Sequence, residues 1–472
     1  MTTATPTKRG NSKRDAIPVE VSGSLYQKES KIYVKDVKGR FARLRNIAMV
    51  VLLGLFYGVV WLTWEGRQAV LFDLPARKFY IWGLTLWPQD FIYLALLLLL
   101  LALSLFFFTA LAGRLWCGYA CPQTVWTEAF MLIERWVEGD RNRRMKLDKG
   151  PRNRMFLVRK STKQFLWLAL SLWTGMTFVG YFMPIRELAA GIVSFDLHPW
   201  AWFWFLFYGF ATYGNAGFLR EQVCKYMCPY ARFQSAMFDN DTLIIAYDES
   251  RGEPRGGRKK KVDHRAQGLG DCIDCTLCVQ VCPTGIDIRD GLQYECIACA
   301  ACIDACDEVM DKMSYPRGLI RYTSNNAVRG GKAHVLRPRM IVYAVLLVVI
   351  SVSLVTSVST RTPLRMEVIR DRNALYRELA DGRIENVYTL RVINMTEQSE
   401  SYELVLSGNP QLTVESPQIT VPANQTAAFP LRIQAAPEAG MGSIPIQLSL
   451  TSQTNPDDQV VRDSKFFLPV KS

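Results

Sequence analysis

The chain reads as a multi-domain membrane protein: a five-helix transmembrane bundle, a small α+β cysteine-rich domain, and a C-terminal all-β sandwich. Three observations predict this. Five apolar blocks of about twenty residues are spread over the chain, each long enough to cross a bilayer. Two tandem cysteine runs lie between Cys272 and Cys306, and both have the spacing C-x2-C-x2-C-x3-C. The tail from residue 362 has no cysteine and alternates polar with apolar residues at period two, as strands with one buried face do.

Half of the 472 residues are hydrophobic, yet the mean hydropathy is only +0.05, because very apolar blocks alternate with very basic ones. A net charge of +13 raises the question of nucleic acid. The Lys and Arg residues flank the apolar blocks, however, so they read as a membrane-topology signal and no nucleic-acid partner is expected. The N-terminus is polar for more than forty residues, and no cleavable signal peptide is read there.

Residues 1–46 form a basic cytoplasmic segment carrying eleven Lys and Arg, its first part expected to be disordered. Residues 47–112 hold the first transmembrane pair, Ile47–Trp64 and Phe91–Ala112. The second of these spans about 33 Å as a helix. Residues 113–163 are a cytoplasmic loop rich in Arg and Lys. Residues 164–219 hold the second pair, Gln164–Met183 and Trp200–Leu219, and residues 220–262 are again cytoplasmic and basic. Residues 263–320 carry the cysteine runs, Met340–Val358 (340–358) is the fifth span, and residues 362–472 are the immunoglobulin-like sandwich. The opposite loops, 65–90 and 184–199, contain only Arg67, Arg77, Lys78 and Arg186. The positive-inside rule therefore puts the N-terminus in the cytoplasm, and five crossings put the sandwich in the periplasm. All twelve cysteines then fall on the reducing side, where free thiolates persist.

The cysteine runs have the bacterial ferredoxin spacing for two [4Fe–4S] clusters. In that pattern the fourth cysteine of each run ligates the other cluster. One cluster is thus assigned to Cys272, Cys275, Cys278 and Cys306, and the other to Cys282, Cys296, Cys299 and Cys302. Structural zinc is the alternative, but zinc sites pair two well-separated ligand pairs, which tandem runs of four do not offer. Ala298, Ala300 and Ala301 are small enough for backbone N–H groups to approach the sulfurs, and Pro283 and Gly285 turn the chain. Asp307 stands where Pro usually follows the fourth cysteine, and its charge is expected to lower a cluster potential.

A second constellation lies outside these runs. Cys117-Gly-Tyr-Ala-Cys121-Pro122 follows the second apolar block and Cys224-Lys-Tyr-Met-Cys228-Pro229 follows the fourth. Downstream, Trp126 echoes Phe233 and Ala129 echoes Ala236, so each unit is a helical pair followed by a thiol motif. The copies are expected to face each other across a pseudo-twofold axis at the cytoplasmic surface. On a helix, positions i and i+4 put both thiols on one face, and Pro starts the next helix, whose N-terminus is expected to lower the thiol pKa. Four converging thiolates suit a soft ion such as Cu(I). Packing cysteines, a further iron–sulfur site and a thiol/disulfide couple are the alternatives. Met366, Met395 and Met441 are soft donors in principle but read as packing. His198, His264 and His334 all lie outside the apolar blocks, which excludes a haem held between membrane histidines. No Walker loop and no convincing dinucleotide fingerprint is present.

Together, the five spans, the duplicated C-x-x-x-C-P motifs at 117–122 and 224–229, the runs at 272–306 and the exported tail resemble the cytochrome c oxidase accessory family CcoG, also called FixG or RdxA. The resemblance covers almost the whole chain after the basic N-terminus. It implies a bacterial inner-membrane protein needed to assemble the cbb-type oxidase, reducing Cu(II) to Cu(I) for the oxidase's catalytic subunit. The implied partners are cbb-type oxidase subunits, a copper-exporting P-type ATPase and copper chaperones, with electrons from a cytosolic donor that the sequence does not name. Carried over by position, Cys117, Cys121, Cys224 and Cys228 are the candidate copper or thiol site. Two other readings compete: an electron-transfer subunit of a quinol-linked periplasmic reductase system, and a non-enzymatic redox-sensing scaffold.

Overall fold

A computed structural model describes residues 31–260, 265–372, 374–415, 418–436, 440 and 442–469. The first thirty residues, His264 and Met441 therefore lie outside the described residues.

The first membrane helix runs Arg40–Val59 and not to Trp64. Its basic first turns precede the apolar block, and its end is set by a tight turn further on. Glu65 and Gly66 both adopt positive φ, the geometry of a two-residue hairpin turn, so Thr63–Trp64 pairs with Arg67–Gln68 as a ribbon. The chain continues into a three-stranded antiparallel sheet, Val70–Asp73, Lys78–Ile81 and Leu84–Leu86, which periodicity does not reveal. Helix Phe91–Ala112 matches its apolar block.

Residues 113–163 are helical where a loop was expected: Leu115–Tyr119, Pro122–Glu138 and Arg141–Lys149 precede a long helix, Arg154–Val179. Pro122–Glu138 is amphipathic and buries Val125, Ala129, Phe130 and Met131. Asn153 caps the long helix by accepting the Phe156 N–H at 2.9 Å. Helix Pro199–Thr212 then packs on it so closely that a Cβ on Gly175 would sit 2.5 Å from the Phe205 carbonyl oxygen. The chain goes on through two π-helical stretches, Tyr213–Leu219 and Val223–Met227.

Among the described residues, three helices are long and apolar enough to cross a membrane by length and composition: Arg40–Val59, Pro88–Ala112 and Pro338–Ser359. The five-helix count is not reproduced by that measure, for physical reasons. Arg154–Val179 carries Arg159, Lys160 and Lys163 in its first half, and Pro199–Thr212 has only 14 α-helical residues before the π stretch.

The cysteine-rich unit is wider than residues 263–320, because its two-stranded sheet pairs Ile244–Tyr247 with Ile320–Thr323. Helix Ala301–Met313 packs on that sheet through Ile303, Val309 and Met310. The tail is a sandwich of two antiparallel sheets. One has the order Leu412–Glu415, Thr426–Ala435, Ile384–Asn394, Leu364–Arg370, with Arg377–Glu378 on the third strand's end. The other has the order Ile419–Val421, Glu400–Ser407, Ser443–Ser452, Gln459–Phe467. Between them lie Tyr388, Leu390, Val392, Ile433, Leu448 and Phe466. Met366 is fully buried in this core, and Met395 packs with Trp87 and Ile393, so both act as packing residues.

Candidate functional site

The two cysteine runs fold into matched loops. In the first, Asp274 and Thr276 have φ of 51° and 55°; in the second, Ala298 and Ala300 have φ of 53° and 59°. The left-handed residues fall at equivalent places, one just before and one just after the middle cysteine of each leading triplet. Such turns aim successive N–H groups inward, which suits a sulfur-rich anionic group.

The sulfurs surround two separate cavities. Cys272, Cys275, Cys278 and Cys306 line one. Cys282, Cys296, Cys299 and Cys302 line another, with Cys278 on the wall between the two. The fourth cysteine of each run thus reaches the cavity of the other run. No carboxylate or imidazole lines either cavity; the rest of the wall is mainly Ile, Leu, Val, Met and Ala. Among the described residues, no three Cys, His, Asp or Glu side chains converge tightly enough to hold a single ion. Four thiols spread around a largely apolar cavity, too far apart to close on one ion, fit a polynuclear iron–sulfur group better than a lone zinc.

Burial pushes Cys296 and Cys306 up to about 12 and Cys278 up to about 11, so these thiols ionise only when a metal charge replaces the proton. The two cavities differ in their surroundings. The outer one reaches the surface at Cys275, which is exposed. None of the four cysteines of the inner one is exposed. Asp307 accepts the Gly318 N–H at 3.0 Å and stays close enough to Cys306 to raise its pKa.

The first thiol motif lies directly on the inner loop. A Cβ on Gly118 would come within 2.8 Å of the Ile297 carbonyl oxygen and 2.9 Å of the Cys299 Cα. Cys117 packs against Ile297 and Cys299. The two motifs also meet each other. Cys117 Sγ donates to Gln234 Oε1 at 3.3 Å, and Gln123 Nε2 donates to the carbonyls of Asn215 (2.9 Å) and Arg220 (3.1 Å) across the repeat. Cys117 lies close enough to Cys121 and Cys224, and Cys121 to Cys228, for a thiolate on one to disfavour ionisation of its neighbour. Cys224 and Cys299 line one further cavity.

Two expectations about these motifs need correction. The pairs do not share one continuous helix: Cys117 lies in Leu115–Tyr119, and Cys224 in the π-helical Val223–Met227. Cys121 and Cys228 are the residues preceding Pro122 and Pro229, each at the start of the next helix. Nor are the thiol pKa values lowered. Burial drives Cys117 up to about 12 and Cys224 up to about 11; for Cys121 burial outweighs the N–H groups of Thr124 and Gln123 that pull the other way.

Sequence reasoning missed the residues that join the motifs to the cysteine loops. Arg45 Nη1 donates to the Cys299 carbonyl at 2.6 Å. Arg114 donates to the carbonyls of Tyr294 and Ala231, and to that of Cys296 at 3.4 Å. Tyr322 donates to the Ala298 carbonyl at 2.6 Å. Arg45 and Arg114 border apolar blocks, so in one dimension they read only as topology signals.

Three family models match: a 4Fe-4S binding domain over residues 94–142, a 4Fe-4S dicluster domain over 219–325, and an IG-like fold at the C-terminal of FixG over 354–469. Protein RdxB of Cereibacter sphaeroides is 42% identical over 428 residues, covering 87% of this chain and 90% of its own. Nitrogen fixation protein FixG of Rhizobium meliloti is 38% identical over 458 residues, covering 88% and 87%. Protein RdxA of Cereibacter sphaeroides is 39% identical over 450 residues, covering 91% and 94%. A crystal structure of a FixG-related protein from Vibrio parahaemolyticus is 34% identical and covers 22% of this chain and 95% of its own, with a TM-score of 0.21.

Proposed function

The chain belongs to the FixG/RdxA family of iron–sulfur proteins, and from that premise we propose that it is an inner-membrane redox protein that delivers electrons to its C-x-x-x-C-P thiols and there reduces Cu(II) to Cu(I). Cys272, Cys275, Cys278 and Cys306 would hold an outer [4Fe–4S] cluster, and Cys282, Cys296, Cys299 and Cys302 an inner one. These clusters supply one-electron transfer when bound. With a cytosolic reductant as electron source, each Cu(II) would take up one electron beside Cys117, Cys121, Cys224 and Cys228 and leave as Cu(I); these thiols would have to draw together to hold one ion. The reduced ion suits thiolates and passes on by ligand exchange. Its destination is a cbb-type oxidase under assembly, with a copper-exporting P-type ATPase and copper chaperones as partners. Five helices cross the membrane, Arg154–Val179 and Pro199–Leu219 joining the three more apolar ones. The cysteines face the cytoplasm and the sandwich the periplasm.

The observation that carries this reading is the seating of Gly118, between Cys117 and Cys121, on the backbone of the inner loop. Thiols so close to an inner cluster are its natural outlet. The test uses full-length protein purified anaerobically, reduced, freed of reductant and given Cu(II) with a Cu(I)-specific chromophoric chelator. Cu(I) is expected to form as the cluster absorbance returns to its oxidised form. A Cys117→Ser, Cys228→Ser double variant is expected to keep its clusters and form no Cu(I); unimpaired reduction would remove the thiols from the site.

One observation favours a second reading. The 4Fe-4S binding domain matched over 94–142 includes Cys117 and Cys121, so the four thiols are also candidates for a third cluster. Iron counting separates the two readings: the double variant loses a cluster's worth of iron in this case and none in the first.

A further inference from the structure

The two cavities differ in a way that bears on the direction of electron flow. Adding an electron to a four-thiolate site makes it more negative. Burial penalises that state, and a nearby cation favours it. The outer site opens to solvent at Cys275, whereas none of the inner site's four cysteines is exposed and Cys117 of the thiol motif packs beside Cys299. Burial alone would therefore hold the inner potential below the outer one and leave electrons stranded at the surface.

Two arginines from the membrane helices offset this. Arg45 stands in the first membrane helix and donates to the carbonyl of Cys299. Arg114 follows the second, is 4% exposed, and donates to the carbonyls of Tyr294 and Cys296. Two carboxylates near Arg45, Glu128 and Asp304, offset part of its charge. Glu128 pairs with Arg135 at 3.2 Å, and Asp304 accepts the N–H groups of Phe41 at 3.2 Å and Ala42 at 2.7 Å. At the outer site, Arg258 donates to the Cys272 carbonyl at 3.3 Å. Arg289, the other cation there, is held by Asp274 at 2.5 Å and Asp287 at 2.6 Å, and Asp307 adds a further negative charge beside Cys306.

We propose that Arg45 and Arg114 are positioning residues that raise the reduction potential of the inner site, so that an electron arriving at the outer site moves inward to the thiol motifs. No bond is made or broken: the outer site is oxidised by one electron and the inner site reduced by one. The inference rests on the two-cluster reading above.

The test is an anaerobic redox titration of the full-length protein, followed by electron paramagnetic resonance, for wild type and for Arg45→Gln, Arg45→Lys, Arg114→Gln and Arg114→Lys. In both glutamine variants one of the two midpoints is expected to fall while the other stays at its wild-type value; the lysine variants, which keep the charge, stay close to wild type. Unchanged midpoints at wild-type iron content, or an equal shift of both, would overturn the proposal. Where Arg114→Gln loses iron, Arg45→Gln decides. Loss of iron from all four variants would mean that these side chains only hold the loop, which also overturns it. Wild-type iron below the two-cluster amount would instead sink the underlying assignment.

Discussion

At the scale of single residues, the junction between thiol motif and cysteine loop depends on the missing side chain of Gly118. The atoms that a Cβ would meet are backbone atoms of residues 297–299, which cannot swing aside as a side-chain tip can. Gly118→Val is therefore expected to push the inner loop away from Cys117. Overpacking of this kind costs about 1–3 kcal/mol. The sharper readout is functional: cluster absorbance is retained while the rate of Cu(I) formation falls, and an unchanged rate would show that the contact is not the route. The cysteine positions themselves were legible, since spacing alone assigned each fourth cysteine to the opposite run and the cavities are lined that way. The left-handed residues were not. Asp274, Thr276, Ala298 and Ala300 occupy conformations for which a glycine would have been the signal, and only the loop's many constraints hold them there. The thiol pKa expectation failed for a related reason: a helix start is visible in sequence, but the depth of burial that outweighs it is not.

At the scale of elements, the helices between residues 122 and 179 are held together by charges that a sequence shows only as basic stretches. Glu134 and Glu138 sit one turn apart on helix Pro122–Glu138 and are fully buried. Glu134 pairs with Arg144 at 3.0 Å and Arg220 at 2.9 Å; Glu138 pairs with Lys163 at 2.9 Å and Lys160 at 3.0 Å. The stretch at 141–146 read as a topology signal thus also supplies a buried partner, Arg144. Over this network lies a strap formed by residues 31–37. Lys31 and Tyr33 both bind Asp148, at 2.9 and 2.7 Å, and the Lys35 N–H donates to the Gln280 carbonyl at 2.8 Å, tying the strap to the cysteine-rich unit. Burial alone would raise the Asp148 pKa, but hydrogen bonds from Lys160, Lys31 and Tyr33 prevail and hold it well below the usual carboxylate range. A depressed folded pKa means that the stabilisation is complete above about pH 4, the unfolded carboxylate value, and fades as pH falls through the folded one. Limited proteolysis of the strap is therefore expected to be slow at neutral pH and to speed up below about pH 4. Asp148→Asn should be cut faster at neutral pH and lose most of that acid dependence; an identical pH profile in the variant would exclude Asp148 as the anchor.

At the scale of the whole molecule, the sheet of residues 70–86 and the sandwich form one joined surface. Lys78 Nζ donates to the Asn424 carbonyl at 2.7 Å, Arg67 pairs with Glu397 at 2.7 Å, and Trp87 packs with Ile393 and Met395. Periodicity identified the tail as a sandwich from four of its strands, because each alternates about a buried face. It gave no sign of the docking, because that depends on side chains brought together from loops far apart in sequence. Asp90 is the centre of the contact. It precedes the second membrane helix, its side chain is fully buried, and it holds Arg361 at 2.8 Å and Arg365 at 2.9 Å, the residues through which the last membrane helix enters the sandwich. Removing one partner of a buried charge group leaves the others uncompensated, at a cost of about 3–5 kcal/mol. Asp90→Ala is thus expected to loosen the sandwich without unfolding it, since the sandwich core of Tyr388, Leu390, Leu448 and Phe466 makes no use of Asp90. Protease added outside spheroplasts should cut the variant near residues 360–363 and release an intact tail fragment, while the wild type resists. Cluster content should be the same in both, because the cysteine sites lie at the other end of the bundle. Equal resistance of variant and wild type would show that the apolar contact at Trp87, and not the charge triad, fixes the sandwich to the membrane domain.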